Sequence, residues 1–437
     1  MKTRPHRACL PVVFLLLASM LAPLLAGCGP AETVAPRGRV SFAVFGDPAE
    51  LAAYQSLVQA FQARYPDIQV ELRHVAGQSD YQRQLVAAFS AGAPPDVMLL
   101  SYRRVARFAS QDGLVPLGPY LEKSTLLREA DFYAPAVDAF RWNGQLWCIP
   151  QNVSSLVVYY NRDLFDAAGL SYPAAGWTRD DFLSMARALT KDLDGDGRID
   201  QYGAGIEPSL MRLAPLVWQN GGEVVDDPNN PTRLALDSPQ ARAALQWLVD
   251  LQVREHVVPD AVAEETESSE ARFMNGTLAM YFQSRRLVTT LRTITAFKWD
   301  VAPLPAGARQ ASILHSDGFC MAAAARDKEA AWALIEFANS VEGQTLLAAT
   351  GRTVPSLRAV AESAALLDPA QPPESSRVFL DVVPTLQALP PVSTWPSIEE
   401  TANREIERAF YGQATVEEAL ATMLELTRPY FEQAAGR

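Results

Sequence analysis

Between Val40 and Leu100 the hydrophobic period switches repeatedly, and this alternation narrows the folds open to the chain more than any other feature. Val40 to Phe45 reads as a strand. After Gly46-Asp47-Pro48, apolar residues recur at helical spacing through Leu51, Tyr54, Leu57, Val58 and Phe61. Tyr65-Pro66-Asp67 stops that helix, and Ile68 to Leu72 alternates as a second strand. A helix around Tyr81 to Ser90, a turn at Gly92 to Pro95 and a short strand from Asp96 to Leu100 follow. Strand, helix, strand, helix, strand is the order of a parallel sheet covered by helices, whose ligands bind beyond the carboxyl ends of the strands. Gly46, Asp47, Ser101, Tyr102, Arg103 and Arg104 occupy those ends and form a candidate site.

A second stretch, Trp142 to Asn161, adds a joint. It starts at an Asn143-Gly144 turn signal, passes through Leu146-Trp147-Cys148-Ile149, meets Pro150 and resumes as the strand Val157 to Tyr160. Proline donates no ladder hydrogen bond, so two strand segments with a joint between them are expected. With 437 residues the chain can build at least two cores, and the joint is read as a link between two lobes.

The amino terminus reads as an export signal. Lys2, Arg4 and Arg7 precede an apolar run from Leu10 to Ala26, broken by Pro11 and Pro23 and followed by Gly27-Cys28. The run is short and proline-interrupted for a spanning helix. Leu25-Ala26-Gly27-Cys28 resembles the bacterial lipobox, which implies acylation of Cys28 and a tether to the outer face of the cytoplasmic membrane, in a periplasm or at a cell surface. A simple secreted protein with an incidental cysteine is the other reading. Residues 1–27 are then the signal and 28–39 a flexible tether. Loss of residues 1–27 leaves 35 basic and 50 acidic residues, a net charge of -15, which argues against nucleic acid or an anionic membrane surface as partner. Two cysteines, Cys148 and Cys320, remain in the folded part. An exported chain with two thiols allows one disulfide, and two separate buried thiols are the alternative.

Taken in order, FAVFGD, FQARYPDIQVEL, AGAPPDVMLL, DGLVPL, NGQLWCIPQNVSSLVVYYN, GWTRDDFLSMARALT and FMNGTLAM resemble the family 1 extracellular solute-binding proteins, the group that includes maltose-binding protein. The resemblance runs from Val40 to the carboxyl terminus. It implies a type II periplasmic-binding-protein fold of class α/β: two lobes, each a mixed sheet flanked by helices, joined by crossing strands, with ligand held in the cleft. The expected lobes are residues 40–148 with 319–365, and 149–318 with 366–437. Trp142 to Asn161 becomes the first crossing and Ser316 to Met321 the return crossing. That brings Cys320 toward Cys148, and a disulfide at the hinge is expected.

The resemblance also implies the binding set. Gly46, Asp47, Ser101, Tyr102 and Arg103 would supply one side of the cleft. Trp218, Ser284, Arg286, Asp317 and Trp395 would supply the other, with Asn152 and Ser154 beside the hinge. Trp395 stands where relatives carry a sugar-stacking aromatic. A pyranose offers one apolar face and a rim of hydroxyls, so an aromatic plate with polar rim groups suits it. Core packing is the competing reading for both tryptophans. Ser284 and Arg286 replace residues common in neutral-sugar pockets, which leaves open a carboxylate- or phosphate-bearing ligand; surface ion pairing is the plainer role for the arginines.

Asp192, Asp194, Asp196 and Asp200 take the first, third, fifth and ninth places of an EF-hand-like loop, with Gly197 at the sixth and the Arg198 carbonyl at the seventh. Gly203 replaces the bidentate Glu at the twelfth. A structural calcium and an empty solvated turn both fit, and no cofactor is required. Thr178 and Asp181 form a capping arrangement. The function expected is a monomeric ABC-importer binding lipoprotein, without chemistry of its own, which passes a carbohydrate to the membrane permease. The alternatives are a binder of an anionic sugar derivative or glycerol phosphodiester, an exported glycan hydrolase, for which no carboxylate pair is designated by the sequence, and a ferric-ion binder using Tyr159-Tyr160.

Overall fold

The computed structural model describes residues 38–436, so the signal segment, most of the tether and Cys28 lie outside the described residues. The first lobe opens with β1 (Gly38–Phe45), α1 (Pro48–Arg64), β2 (Ile68–Val75), α2 (Gln78–Ser90), β3 (Val97–Ser101) and α3 (Tyr102–Ala109). Helix α1 begins where the sequence places its signals. The Asp47 carboxylate caps Ala49 and Glu50, Glu50 returns a bond to the Asp47 amide, and Pro48 takes a position that needs no amide donor. A hairpin, β4 (Arg141–Trp142) and β5 (Gln145–Leu146), turns at Asn143-Gly144, both with positive φ. It leads to β6 (Cys148–Pro150).

The second lobe starts with β7 (Ser154–Asn161), α4 (Arg179–Leu189), β8 (Tyr202–Gly205), α5 (Leu210–Gln219), α6 (Pro239–Val253), β9 (Leu278–Ser284), β10 (Trp299–Ala302) and β11 (Ser312–His315). The chain returns to the first lobe through β12 (Asp317–Met321), α7 (Lys328–Ala338) and α8 (Val341–Ala348). It ends in the second with β13 (Leu386–Gln387), α9 (Trp395–Phe410) and α10 (Val416–Ala434). Thr178 and Asp181 form the reciprocal cap of α4.

The first sheet has strand order β2-β1-β3-β12-β6, parallel except for β12, which runs antiparallel to both neighbours. The second has order β13-β11-β7-β9-β8, with β10 also paired to β7. Each is a mixed sheet with helices packed on it, the two-lobe arrangement expected. The chain changes sheets at 151–153 and again at Ser316, rather than at the expected 148/149 and 318/319. Pro150 completes β6 and Asp317 already belongs to β12.

Strand β7 is buried throughout because its two faces serve two cores. Val157 and Tyr159 point into the cluster shared with the first lobe, and Leu156, Val158 and Tyr160 point into the second lobe's cluster. Tyr159 and Tyr160 therefore cannot share an ion. Tyr159 donates to the Ser284 carbonyl at 2.9 Å, and Tyr160 packs on Phe165 and Tyr172.

Cys148 and Cys320 form a disulfide with a Cα separation of 4.4 Å. They are direct partners on β6 and β12, so the bridge staples two neighbouring strands within the first lobe, next to the crossings. The disulfide expected beside the hinge therefore forms, and it lies inside one lobe, as the expected lobe boundaries place both cysteines.

Candidate functional site

The lobes enclose a cavity of about 660 Å³, within the usual range of ligand clefts, roughly 300–1,000 Å³. Its wall on the first lobe comes from Asp47, Glu50 and Tyr54 of α1 and from Ser101 and Arg103 at the end of β3 and start of α3. The floor is made by Gln151, Asn152, Ser154, His315, Ser316 and Asp317, where the chain crosses. The second lobe contributes Glu207, Ser209, Arg212, Gln283, Ser284, Arg286, Glu399 and Asn403.

Asn152 fixes the floor. Its side-chain nitrogen donates to the His315 carbonyl at 3.1 Å and to Ser154 Oγ at 3.2 Å, and its oxygen accepts from the Asp317 amide at 2.8 Å. Ser316 Oγ donates to the Asn152 carbonyl at 2.6 Å. One amide side chain thereby locks the outgoing and return crossings to each other.

The charges in the wall are mostly paired. Arg103 bridges to Glu399 across the lobes, Arg212 reaches Glu207 at 2.8 Å and Gln283 at 3.3 Å, and Arg352 pairs with Asp47 and Glu50. Burial works against the Arg103 charge, but Glu399 beside it raises the guanidinium pKa overall. Among the described residues lining the cavity, Arg286, Glu270 and Asp317 have side-chain charges with no hydrogen-bond or ion-pair partner. Burial pushes the Asp317 carboxyl up to about 6, against the pull of Arg103. Burial, with Arg212 and Arg103 nearby, holds His315 well below its ordinary value, so the imidazole is neutral at pH 7, and its Nε2 has no partner.

Of the residues expected in the cleft, Asp47, Ser101, Arg103, Asn152, Ser154, Ser284, Arg286 and Asp317 line the cavity. Gly46, Tyr102, Trp218 and Trp395 do not, nor does Arg104. Gly46 serves the turn from β1 into α1: its φ is +149° and a Cβ there would strike Glu50. Tyr102 is buried, and its hydroxyl accepts from the Leu389 amide at 3.1 Å. Trp218 lies inside α5, a helix buried on all sides. Trp395 is wholly buried in the second-lobe core with Ile398, Ala402 and Ile406. Glu399 and Asn403, one and two turns further along α9, face the cleft in its place. Among the described residues no tryptophan lines the cavity, and its aromatics are Phe45 and Tyr54. The stacking plate expected at Trp395 is therefore missing from this cleft.

The acidic loop lies away from the cleft. Asp192, Asp194 and Asp200 bring oxygens within 4.8 Å of one another, whereas Asp196 accepts from the Arg198 amide at 2.8 Å. The other three carboxylates also take amides of their own loop, Asp192 from Gly195 and Gly197, Asp194 from Asp196 and Asp200 from Leu193.

Two lobes around a polar cleft, joined by multiple crossings, define a solute-binding protein. Comparison with known proteins makes the class specific: residues 46–345 match the family described as bacterial extracellular solute-binding protein, and the chain belongs to it. Its fold is similar to that of an ABC substrate-binding protein from Listeria monocytogenes solved with cycloalternan. The two are 25% identical with a TM-score of 0.82, over 92% of this chain and 100% of that one. The maltose-bound MalE3 of T. maritima is 25% identical with a TM-score of 0.75, over 89% of this chain and 98% of that one. The sn-glycerol-3-phosphate-binding periplasmic protein of Shigella dysenteriae serotype 1 is 23% identical, over 57% of each chain. The family and these neighbours are solute-binding proteins, so the chain is not an enzyme and the hydrolase reading falls. The family is exported, and among the described residues no helix is long and apolar enough to cross a membrane.

Proposed function

We propose that the protein captures a neutral, hydroxyl-rich solute, a monosaccharide or short oligosaccharide, by closing its lobes around it, and presents it to a membrane permease. The observation that carries this reading is the charge pairing of the cleft. Three of its four arginines already have carboxylate partners, and the free charges reduce to Arg286 against Glu270 and Asp317. An anion would meet one unpaired guanidinium and a surplus of carboxylate. A sugar hydroxyl, which both donates and accepts, can satisfy all three groups. The sugar ligands of the Listeria and T. maritima neighbours support the same class. With no tryptophan plate, orientation rests on hydrogen bonds, which favours a compact ligand over a long stacked chain.

Isothermal titration against neutral mono-, di- and trisaccharides, sugar acids and glycerol phosphodiesters tests it. Binding confined to the neutral sugars is expected. Preference for a phosphodiester or sugar acid would shift the reading to the anionic class, favoured only by Arg286. In the same reading the protein is a monomer anchored through acylated Cys28. Cys28→Ser should abolish incorporation of a fatty-acid label and release the chain from the membrane.

A further inference from the structure

The segment from Thr350 to Ser356, between α8 and the last stretch of the first lobe, is gripped by three bodies at once. The second lobe holds its start: Thr289 Oγ1 donates to the Thr350 carbonyl at 2.7 Å, and Arg285 Nε donates to the Gly351 carbonyl at 3.0 Å. Arg285 is 1% exposed, stacked over Phe379 at 4.7 Å, with no carboxylate partner, so a buried cation is committed to gripping that one carbonyl. Gly351 permits the approach, since its φ is +76° and a Cβ would sit 2.6 Å from Arg292 Nη1. The first crossing holds the other end: the Val153 amide donates to the Val354 carbonyl at 2.8 Å, and the Ser356 amide to the Gln151 carbonyl at 3.2 Å. Between these anchors Arg352, 5% exposed in its side chain, reaches Asp47 and Glu50 at the amino end of α1, the latter at 3.1 Å.

Both of those carboxylates, Arg352 itself and Thr353 face the cavity. Asp47 and Glu50 are also the capping box of α1, so their positions and that of the helix end are one arrangement. Any solute group that hydrogen-bonds to Asp47 or Glu50 acts on the partner that the strap holds. Rotation of the second lobe moves Thr350 and Gly351 and thereby pulls on the same guanidinium. A ligand favours a closed state only through contacts that differ between states, and this strap supplies one.

We infer that Arg352 is a positioning residue that couples the α1 rim of the cleft to the crossings, so that contact at Asp47 and Glu50 is transmitted to lobe closure. The inference rests on the reading that solute binds between the lobes, but its main test needs no ligand. Amide hydrogen exchange of the full folded chain is compared for wild type, Arg352→Gln and Asp47→Asn/Glu50→Gln. Coupling predicts at least about tenfold faster exchange at Val153 and Ser356, on the crossing side, together with Ala49 and Glu50, in both variants. Faster exchange at Ala49 and Glu50 alone, with Val153 and Ser356 unchanged, would overturn it. The second variant keeps Arg352, so a folding defect peculiar to Arg352→Gln cannot produce agreement between the two. In a second arm, maltose is the probe, and the distance between labels in the two lobes is read with and without it. Failure of maltose to close the wild type would exclude maltose as the solute and leave the exchange comparison, which decides the coupling, untouched. Closure of Arg352→Gln with wild-type amplitude and affinity would count against the coupling.

Discussion

Arg103, in the first turn of α3, and Glu399, on α9, form an ion pair from one lobe to the other at the edge of the cleft, with side chains 20% and 14% exposed. The pair sits beside a second interlobe contact, the Tyr102 hydroxyl accepting from the Leu389 amide. Partial burial makes removal of one partner worse than removal of both, because the survivor is left desolvated and unpaired.

Glu399→Gln is accordingly expected to lower stability by about 1–3 kcal/mol, and Arg103→Gln/Glu399→Gln by less than the sum of the single changes. Chemical denaturation of the four members of the cycle measures the coupling. A coupling within ~0.3 kcal/mol of zero would show a pair that solvent already screens.

Trp395 should behave as a core residue. Trp395→Ala is expected to cost about 3–5 kcal/mol, because the side chain is wholly enclosed among Ile398, Ala402 and Ile406. Trp395→Phe, which keeps most of the volume, should bind sugar within about threefold of wild type. Calorimetric titration of the two variants separates packing from stacking. A large loss of affinity in Trp395→Phe with little loss of stability would restore the stacking role.

The sequence was most informative where one local rule governs a segment. Gly46-Asp47-Pro48 marks the start of α1, Asn143-Gly144 the turn of the hairpin, and Thr178 with Asp181 the cap of α4, and each forms as expected. The two-lobe class followed from the order of strands and from family resemblance together. The cleft was partly legible, because residues at strand ends such as Asp47, Ser101 and Asp317 must lie near the crossings. Arg352, Arg212 and Glu399 were missed. Nothing local marks a loop arginine that reaches a helix end 305 residues earlier in the chain. Helical spacing from Trp395 does put Glu399 on the same stripe, but which turn of α9 meets the cleft depends on how the helix seats against the second sheet. The same seating buries Trp395.

The bridge between Cys148 and Cys320 closes a loop of 172 residues, and both cysteines are fully buried. Replacing both with alanine should lower stability by about 2–5 kcal/mol through greater freedom of the unfolded chain. Affinity should be retained, because the bridge joins neighbouring strands inside one lobe and does not hold the lobes together. Thermal melts with titration of the double variant test this, and loss of binding at full folding would mean that β6 and β12 set the cleft floor through the bridge.

Asp317 should trade stability for binding, with a pH dependence of definite sign. Its carboxyl is raised from 3.8 to about 6, chiefly by burial. Below pH ~4 both folded and unfolded chains hold the proton and the residue contributes no difference. As pH rises from about 4 to about 6, the unfolded chain releases the proton first, so stability falls. Above pH ~6 the penalty is complete, on the order of 1–3 kcal/mol. Asp317→Asn should therefore be more stable than wild type at pH 7 to 8 by that order, with the gain vanishing near pH 4. Binding should run the other way. An ionised Asp317 accepts from ligand hydroxyls more strongly than the acid does, so wild-type affinity should rise through pH ~6, and Asp317→Asn should bind more weakly with that rise removed. Denaturation curves and titrations across pH 4 to 8 would detect both trends. A variant less stable than wild type at pH 7 would mean that Arg103 and Arg286 already neutralise the carboxylate in the empty cleft.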